Sequence, residues 1–320
     1  MLKTFRSGDS KIDLLRKRSA LLATARAFFA QRSLLEVDCP ALSPAASVDT
    51  HIDLFPVQLG EKWGYLHTSP EYGMKRLLSQ GIGDIYQISH VFRMGEFSKR
   101  HNPEFTLVEW YRLGFSFEQL IGETLAFIQE IVGKARETWI SYREAFQIYA
   151  GIDIARASDA ELLACLAKHD VRGYPSLVHE GRDAILNLIL GCIIEPAFPR
   201  DTLIALTYYP ASQAALARTV IQDGFQVAER FEVYLGGLEL ANGYHELADA
   251  EEQRQRLQEH NVERVQLGKE ALPMDENFLQ ALQEGLPDCC GVAVGFDRLV
   301  MLRMGCENIA DVLPFGWATA

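Results

Sequence analysis

Apolar positions recur at two periods along this chain, and the changes of period mark out its elements. Leu14, Leu15, Leu21, Leu22, Ala25, Phe28 and Phe29 recur at helical spacing with basic residues between them, which predicts a helix over 11–32. The stretch 34–42 (LLEVDCPAL) reads as extended, with Pro40 at an edge or strand end. After a small, polar loop over 44–53, a short strand is expected over 63–68. Ser69-Pro70-Glu71 then opens a helix with Ser69 as N-cap and Pro70 in the first turn, running through Met74, Leu77 and Leu78 to Gly81.

The stretch 84–112 (DIYQISHVFRMGEFSKRHNPEFTLVEWYR) predicts two strands, 85–93 and 105–112, rich in β-branched and aromatic residues. The connection over 94–104 is too polar for core and too long for a two-residue hairpin. Side chains alternate along a strand. Phe105, Leu107, Glu109 and Tyr111 therefore share one face, and Thr106, Val108, Trp110 and Arg112 the other. A carboxylate among aromatic and aliphatic neighbours is unusual. In the loop, Arg93, Lys99, Arg100 and His101 gather around Asn102-Pro103, a pattern able to close over a polyanion or to stay a solvated tip.

Further along, 117–132 is an amphipathic helix, and Ser158 with Glu161 forms a capping box that opens a helix over 161–168. The stretch 182–194 reads as a buried helix ended before Pro196, and 203–206 as a strand. The run 230–247 (RFEVYLGGLELANGYHEL) alternates about a Gly236-Gly237 turn and reads as a hairpin carrying Glu232, Glu239 and Glu246. A highly charged helix over 248–268 follows, then a short helix capped by Asp275 and stopped by Gly285. The apolar strand 291–296 runs into Asp297-Arg298 and a helix over 299–304. The strongest strand pairs read as hairpins. That favours an α+β fold, an antiparallel sheet flanked by helices, over a doubly wound parallel sheet. G-x-G-x-x-G and G-x-x-x-x-G-K-[ST] are both absent, so neither Rossmann nor P-loop nucleotide binding is indicated.

With 320 residues the chain can build one large domain or two smaller ones. A net charge of −12 argues against a surface built wholly for nucleic acid and leaves Lys99-Arg100-His101 as a local basic candidate. No apolar run is long enough to span a membrane, and the first residues lack a signal-peptide core. The six cysteines show neither C-x-x-C nor zinc spacing. The expectation is reduced thiols in a cytoplasmic protein with no membrane partner.

Arg93 follows one strand, and Arg298 follows another at the start of a helix. Two such arginines could bracket a phosphate chain, since guanidinium forks match phosphate oxygens and helix N-termini favour anions. Glu232 and Glu239 could hold Mg²⁺, which takes carboxylate and phosphate oxygens together. The plainer alternative for each is a surface ion pair. Glu71, Glu109 and Glu246 lie in apolar, aromatic or glycine-containing contexts, where a carboxylate is costly without a cation. If they line one pocket without matching arginines, the missing cation is the ligand, and a diamino acid would supply it.

FRMGEFSKRHNPEF (92–105) resembles motif 2 of class II aminoacyl-tRNA synthetases, and GVAVGFDRLVML (291–302) resembles motif 3. The first helix with LLEVDCPAL, including Pro40, resembles motif 1, the dimerisation element. TSPEY, RHNPEFTLVEWY and LANGYHELADAEEQ are similar to lysyl-tRNA synthetase, and the likeness covers about 14–313. Lysyl-tRNA synthetases carry an N-terminal OB-type anticodon-binding domain, whereas the tail over 1–10 is too short for one. The chain is therefore expected to be a single class II synthetase-like catalytic domain over 1–320, similar to the elongation factor P lysine lysyltransferase family. That resemblance implies an ATP-dependent, AMP-forming ligase. It would activate a lysine, preferably (R)-β-lysine, as an adenylate and join it to the ε-amino group of a lysine on elongation factor P. A homodimer without a tRNA partner is implied as well.

By motif position, the resemblance puts Arg93 on the α-phosphate of ATP and Arg298 at the γ-phosphate end. Phe105 would stack on adenine, with Met94, Gly95, His101 and Asn102 around the nucleotide and Glu239 and Leu240 on the ATP side. Gly295 would let the backbone approach ATP, and Glu232 and Glu239 would be the Mg²⁺ ligands. Ser69, Pro70 and Glu71 would line the amino-acid site, with Glu109, Tyr111 and Glu246 on its two amino groups. The sequence departs from the pattern at Arg93-Met94-Gly95-Glu96, where the acid usually comes one residue earlier, leaving open whether Gly95 or Glu96 meets adenine. Ser69 and Ala293 stand where lysyl-tRNA synthetases tend to have Ala and Gly, and both could reshape the amino-acid pocket. Two alternatives stay open: a minimal lysyl-tRNA synthetase acting on tRNA, and a non-catalytic paralogue. Intact arginines and acidic residues weaken the latter.

Overall fold

Ser10 starts the opening helix, α1 (Lys11–Ala30), by accepting a hydrogen bond from the Asp13 N–H. The computed structural model describes residues 10–320; Ser10 apart, the expected tail over 1–10 lies outside the described residues. The chain divides into two compact units, Met1–Lys134 with Glu246–Ala320, and Ala135–His245.

In the first unit, β1 (Leu35–Glu36) leads to a small antiparallel sheet of β2 (Leu42–Ser43), β3 (Pro56–Leu59) and β4 (Lys62–Leu66). After α2 (Glu71–Ser79) come the long strands β5 (Ile85–Phe92) and β6 (Glu104–Leu113). They pair antiparallel, with Ile85 opposite Tyr111 and Phe92 opposite Glu104. The strand Cys289–Gly295 pairs antiparallel with the other edge of β6, and β1 pairs parallel with β5. β6 is buried on both faces. One face sets Trp110 against Phe29 of α1 and against Phe127 of α3 (Phe117–Val132), at ring separations of 5.2 and 5.3 Å. Phe29 also stacks on Tyr86 at 4.4 Å. Such pairs contribute about 0.5–1.5 kcal/mol each beyond their buried area.

The same face carries a buried bridge. Arg18 of α1 pairs with Asp297 at 2.6 Å and donates to Thr106 Oγ1 at 2.7 Å, while Asp297 accepts from the Thr106 N–H at 2.8 Å. Asp297 lies in the first turn of the helix Phe296–Met304, immediately before Arg298. On the other side, Tyr72 of α2 stacks at 4.1 Å on Phe278 of the helix Glu276–Gly285, whose N-cap is Asp275, as expected.

The second unit is built on the strand Phe225–Leu235. It turns into Leu238–His245 through Gly236 and Gly237, both at positive φ (59° and 73°), as a two-residue hairpin with the right twist requires. Its other edge pairs antiparallel with Thr202–Pro210, to which Arg136–Ser141 adds in parallel, and its first residues pair with Thr219–Gln222. Arg136–Ser141 is an edge strand, mostly exposed, and has no apolar alternation to announce it. The single helix expected over 182–194 is an α-helix, Arg182–Ile189, continued by a π-helical turn, Leu190–Ile194. Pro196 sits inside one further short turn, Glu195–Ala197, at a position that needs no N–H donor. Each unit is α+β, with a mainly antiparallel sheet and flanking helices, as the hairpin pattern predicts. Among the described residues no helix is long and apolar enough to cross a membrane.

Candidate active site

The alternation that turns Trp110 towards α1 sends Glu109 to the opposite face of β6. There its buried carboxylate accepts from Ser69 Oγ at 2.6 Å and from the Tyr111 hydroxyl at 2.8 Å. Ser69 Oγ also accepts from the Glu71 N–H at 3.0 Å, while the N-cap of α2 is Pro70. Ser69, the expected cap, thus stands one residue before the observed one and links α2 to Glu109. One turn along α2, Lys75 is 1% exposed, and its Nζ lies 2.6 Å from Glu71 Oε1 and 2.6 Å from Glu246 Oε2.

This corrects the idea that a ligand must answer all three carboxylates: the chain's own Lys75 answers Glu71 and Glu246. Glu109 has only neutral donors, and among the described residues no basic side chain pairs with it. Burial, then the charges of Glu71 and Glu246, push the Glu109 carboxyl up to about 8. Burial likewise drives Tyr111 well above its ordinary value, so its hydroxyl stays protonated as a donor. Burial opposes the charge on Lys75, but Glu246 and Glu71 outweigh it and hold the ammonium above its ordinary range.

Across the sheet, Gly291 faces Tyr111 and Ala293 faces Glu109. A Cβ at Gly291 would lie 2.3 Å from Tyr111 Cε1 and 2.5 Å from Glu246 Oε1. Only glycine leaves room for that ring and that carboxylate to meet. Gly295 has φ −71°, a conformation open to any residue.

The residues expected at the phosphates gather where β5 ends and β6 begins. The Arg93 N–H donates to the Pro103 carbonyl at 2.9 Å and closes the loop. Its guanidinium sits 5.1 Å from the centre of the Phe105 ring and 3.6 Å from Glu96. Arg298 donates to His101 Nε2 at 2.7 Å. A guanidinium only donates, so His101 carries its proton on Nδ1 and donates to Ser98 Oγ at 2.7 Å. Burial, then Arg298, lower the His101 pKa. Asn102 anchors the loop by donating to the Glu104 carbonyl at 2.6 Å and accepting from the Trp317 N–H at 3.1 Å. Met94 is exposed, and Gly95 takes φ +85° with open space about it.

Glu232, Glu239 and Leu240 belong to the second unit. Glu232 is buried; one oxygen accepts from Arg230 at 2.6 Å and the other from the Tyr209 hydroxyl at 2.7 Å and the Tyr234 hydroxyl. Arg230 and Tyr234 are two residues either side of it on the strand, so they share its face. A carboxylate whose two oxygens already serve three donors does not fit the Mg²⁺ ligand expected of Glu232. Glu239 lies opposite Tyr234, and Leu240 is buried. Among the described residues no group of three or more His, Cys, Asp or Glu could hold a metal ion. A cavity of about 660 Å³ lies within this unit, walled by Trp139, Tyr208 and Phe225, and none of the expected site residues lines it.

A mainly antiparallel sheet flanked by helices, with Arg93 and Arg298 at strand ends, fits the class II synthetase fold that the motifs imply. Residues 4–319 match the model of the tRNA synthetases class II (D, K and N), and the chain belongs to this family. Among its relatives are the elongation factor P–(R)-β-lysine ligases of Salmonella gallinarum and Haemophilus influenzae. Both are 43% identical, over 313 and 315 residues, which is 96% and 97% of this chain and 96% of each relative. The family expected from the three motifs is thereby borne out. Lys75, Gly291 and Arg18 are the residues that motif reasoning missed; an acid four residues before a lysine on one helix was the available hint for Lys75.

Proposed function

We propose that this chain is an ATP-dependent ligase that activates a lysine, preferably (R)-β-lysine, as its adenylate and transfers it to a lysine ε-amino group on elongation factor P. The observation that carries the substrate class is Glu109, a buried carboxylate with neutral donors only, beside two further carboxylates on one face of the sheet. Such a cluster calls for cationic groups from outside. The names borne by the relatives, at 43% identity over nearly the whole chain, support the acceptor.

In this reading Glu109, Tyr111 and Glu246 receive the two ammonium groups, and Ser69, Pro70 and Glu71 line the same site. Phe105 stacks on adenine. Met94, Gly95, His101, Asn102 and Gly295 lie along the nucleotide. The substrate carboxylate attacks the α-phosphorus, the bond to pyrophosphate breaks, and Arg93 and Arg298 take up the charge that develops at the two ends of the phosphate chain. The acceptor amine then attacks the adenylate's carbonyl carbon, loses a proton, and AMP departs. Positioning and charge neutralisation supply the rate, without a covalent enzyme intermediate. Mg²⁺, when bound with ATP, would neutralise phosphate charge; Glu232 is not assigned to it. Residues 1–320 act as one catalytic domain, in a cytoplasmic homodimer joined through the motif 1 region, with no tRNA substrate.

Lysine-dependent exchange of pyrophosphate into ATP tests the activation step. Arg93→Ala should nearly abolish exchange; near-normal exchange in that variant would remove Arg93 from its role.

A further inference from the structure

We infer that Lys75 is a positioning residue that fixes the charge of the diamino-acid site, cancelling one carboxylate so that two negative charges remain for the two ammonium groups of the substrate. The inference rests on the activity proposed above and deepens it. Lys75 is as buried as the tightest apolar core, yet it is spent on carboxylates that face the substrate rather than on a structural acid elsewhere.

The charges around it are countable. From α2 come Glu71 and Tyr72, from β6 Glu109 and Tyr111, from the strand Cys289–Gly295 Cys289, and from the chain before it Glu246. Cys39, before β2, also faces Glu109 with its thiol raised by burial; Asp38 and Arg76 act on Cys39, Asp49 on Tyr72, and Asp84 and Asp288 on Cys289. Tyr72, Tyr111 and Cys289 are all raised by burial and stay neutral. Three carboxylates and one ammonium then sum to two negative charges when all are ionised. A diamino acid brings two ammonium groups here, with its carboxylate directed to the phosphate end, and the buried amine site closes neutral. Without Lys75 one negative charge would be left over, and the cluster would have to take up a proton before it could be desolvated. Lys75 also pins Glu71 and Glu246 from a single point, with both oxygens held at 2.6 Å.

A lysine that merely braced α2 would move stability and nothing else. The two roles separate in the pH profile of amino-acid-dependent pyrophosphate exchange, measured with (R)-β-lysine and with lysine for wild type, Lys75→Met and Lys75→Met/Glu71→Gln, each checked by urea denaturation. Lys75→Met should raise the amino-acid KM about tenfold or more, with KM for ATP little changed. It should also move the acid limb of kcat/KM up by about one pH unit. The double variant restores the charge count, so its limb should return to the wild-type position even if KM stays high. A folded Lys75→Met with an unmoved limb, or with both KM values raised alike, would overturn the inference. If Lys75→Met does not fold, the double variant decides: a wild-type limb supports the count and a displaced limb refutes it. Wild type without any lysine-dependent exchange would overturn the proposed activity and this inference together, whereas failure of the inference alone shows only in the variants.

Discussion

At neutral pH, binding of the amino acid should drive a proton off Glu109. The carboxyl is raised from 4.5 to about 8 by burial and by the neighbouring charges of Glu71 and Glu246. One unit below that value, at pH 7, about nine in ten empty sites carry the proton, and at pH 8 about half. A substrate ammonium favours the ionised form, so binding should release about 0.9 proton at pH 7 and about 0.5 at pH 8. The sign follows directly: a group that must lose its proton to bind makes affinity rise with pH. The rise approaches about 1.4 kcal/mol, or tenfold, per unit well below pH 8 and levels off above it. Glu109→Gln should abolish the release. It should also weaken binding roughly 10- to 150-fold, the loss of a charge-assisted hydrogen bond of about 1.5–3 kcal/mol. Isothermal titration calorimetry with (R)-β-lysine, without ATP, in buffers of different ionisation enthalpy reads both quantities. Heats independent of buffer at pH 7, with affinity flat from pH 6 to 8, would mean that Glu109 is already ionised in the empty site and would refute the electrostatic reasoning.

Gly291→Ala should lower kcat/KM for the amino acid at least about tenfold and cost about 1–3 kcal/mol in urea denaturation, because its Cβ would press on Tyr111 and Glu246; unchanged kinetics would show that the two side chains need not meet there. Arg18→Met leaves Asp297 buried without its cation and should cost about 3–5 kcal/mol. It should also raise KM for ATP, since the bridge abuts Phe105 and Arg298, and a destabilised variant with normal KM would restrict the bridge to folding.

What the sequence made legible was local. Alternation along 105–112 put Glu109 and Tyr111 on one face, where they do meet, and the glycines at 236 and 237 marked their turn. Ser158 and Glu161 form the capping box that their spacing announced. What stayed hidden depended on partners far along the chain. Lys75 looks like a solvated lysine of an amphipathic helix until Glu246 arrives from the far end of the sequence. Arg18 reads as one of several basic residues on α1, and only the fold brings Asp297 and Thr106 to it. The face of Glu232 was readable, but Tyr209 comes from a neighbouring strand and takes up the carboxylate that alternation alone had left open. Arg136–Ser141 was missed because an exposed edge strand paired on one side needs no apolar pattern.

The central claim is settled most directly by a transfer assay. Purified protein, Mg²⁺-ATP and labelled (R)-β-lysine or lysine are mixed with either elongation factor P or total tRNA, and acid-stable label on each acceptor is counted. Label on the protein factor, higher with the β isomer and absent from tRNA, is the expected result. Label on tRNA and none on the factor would contradict it and make the chain a minimal tRNA synthetase.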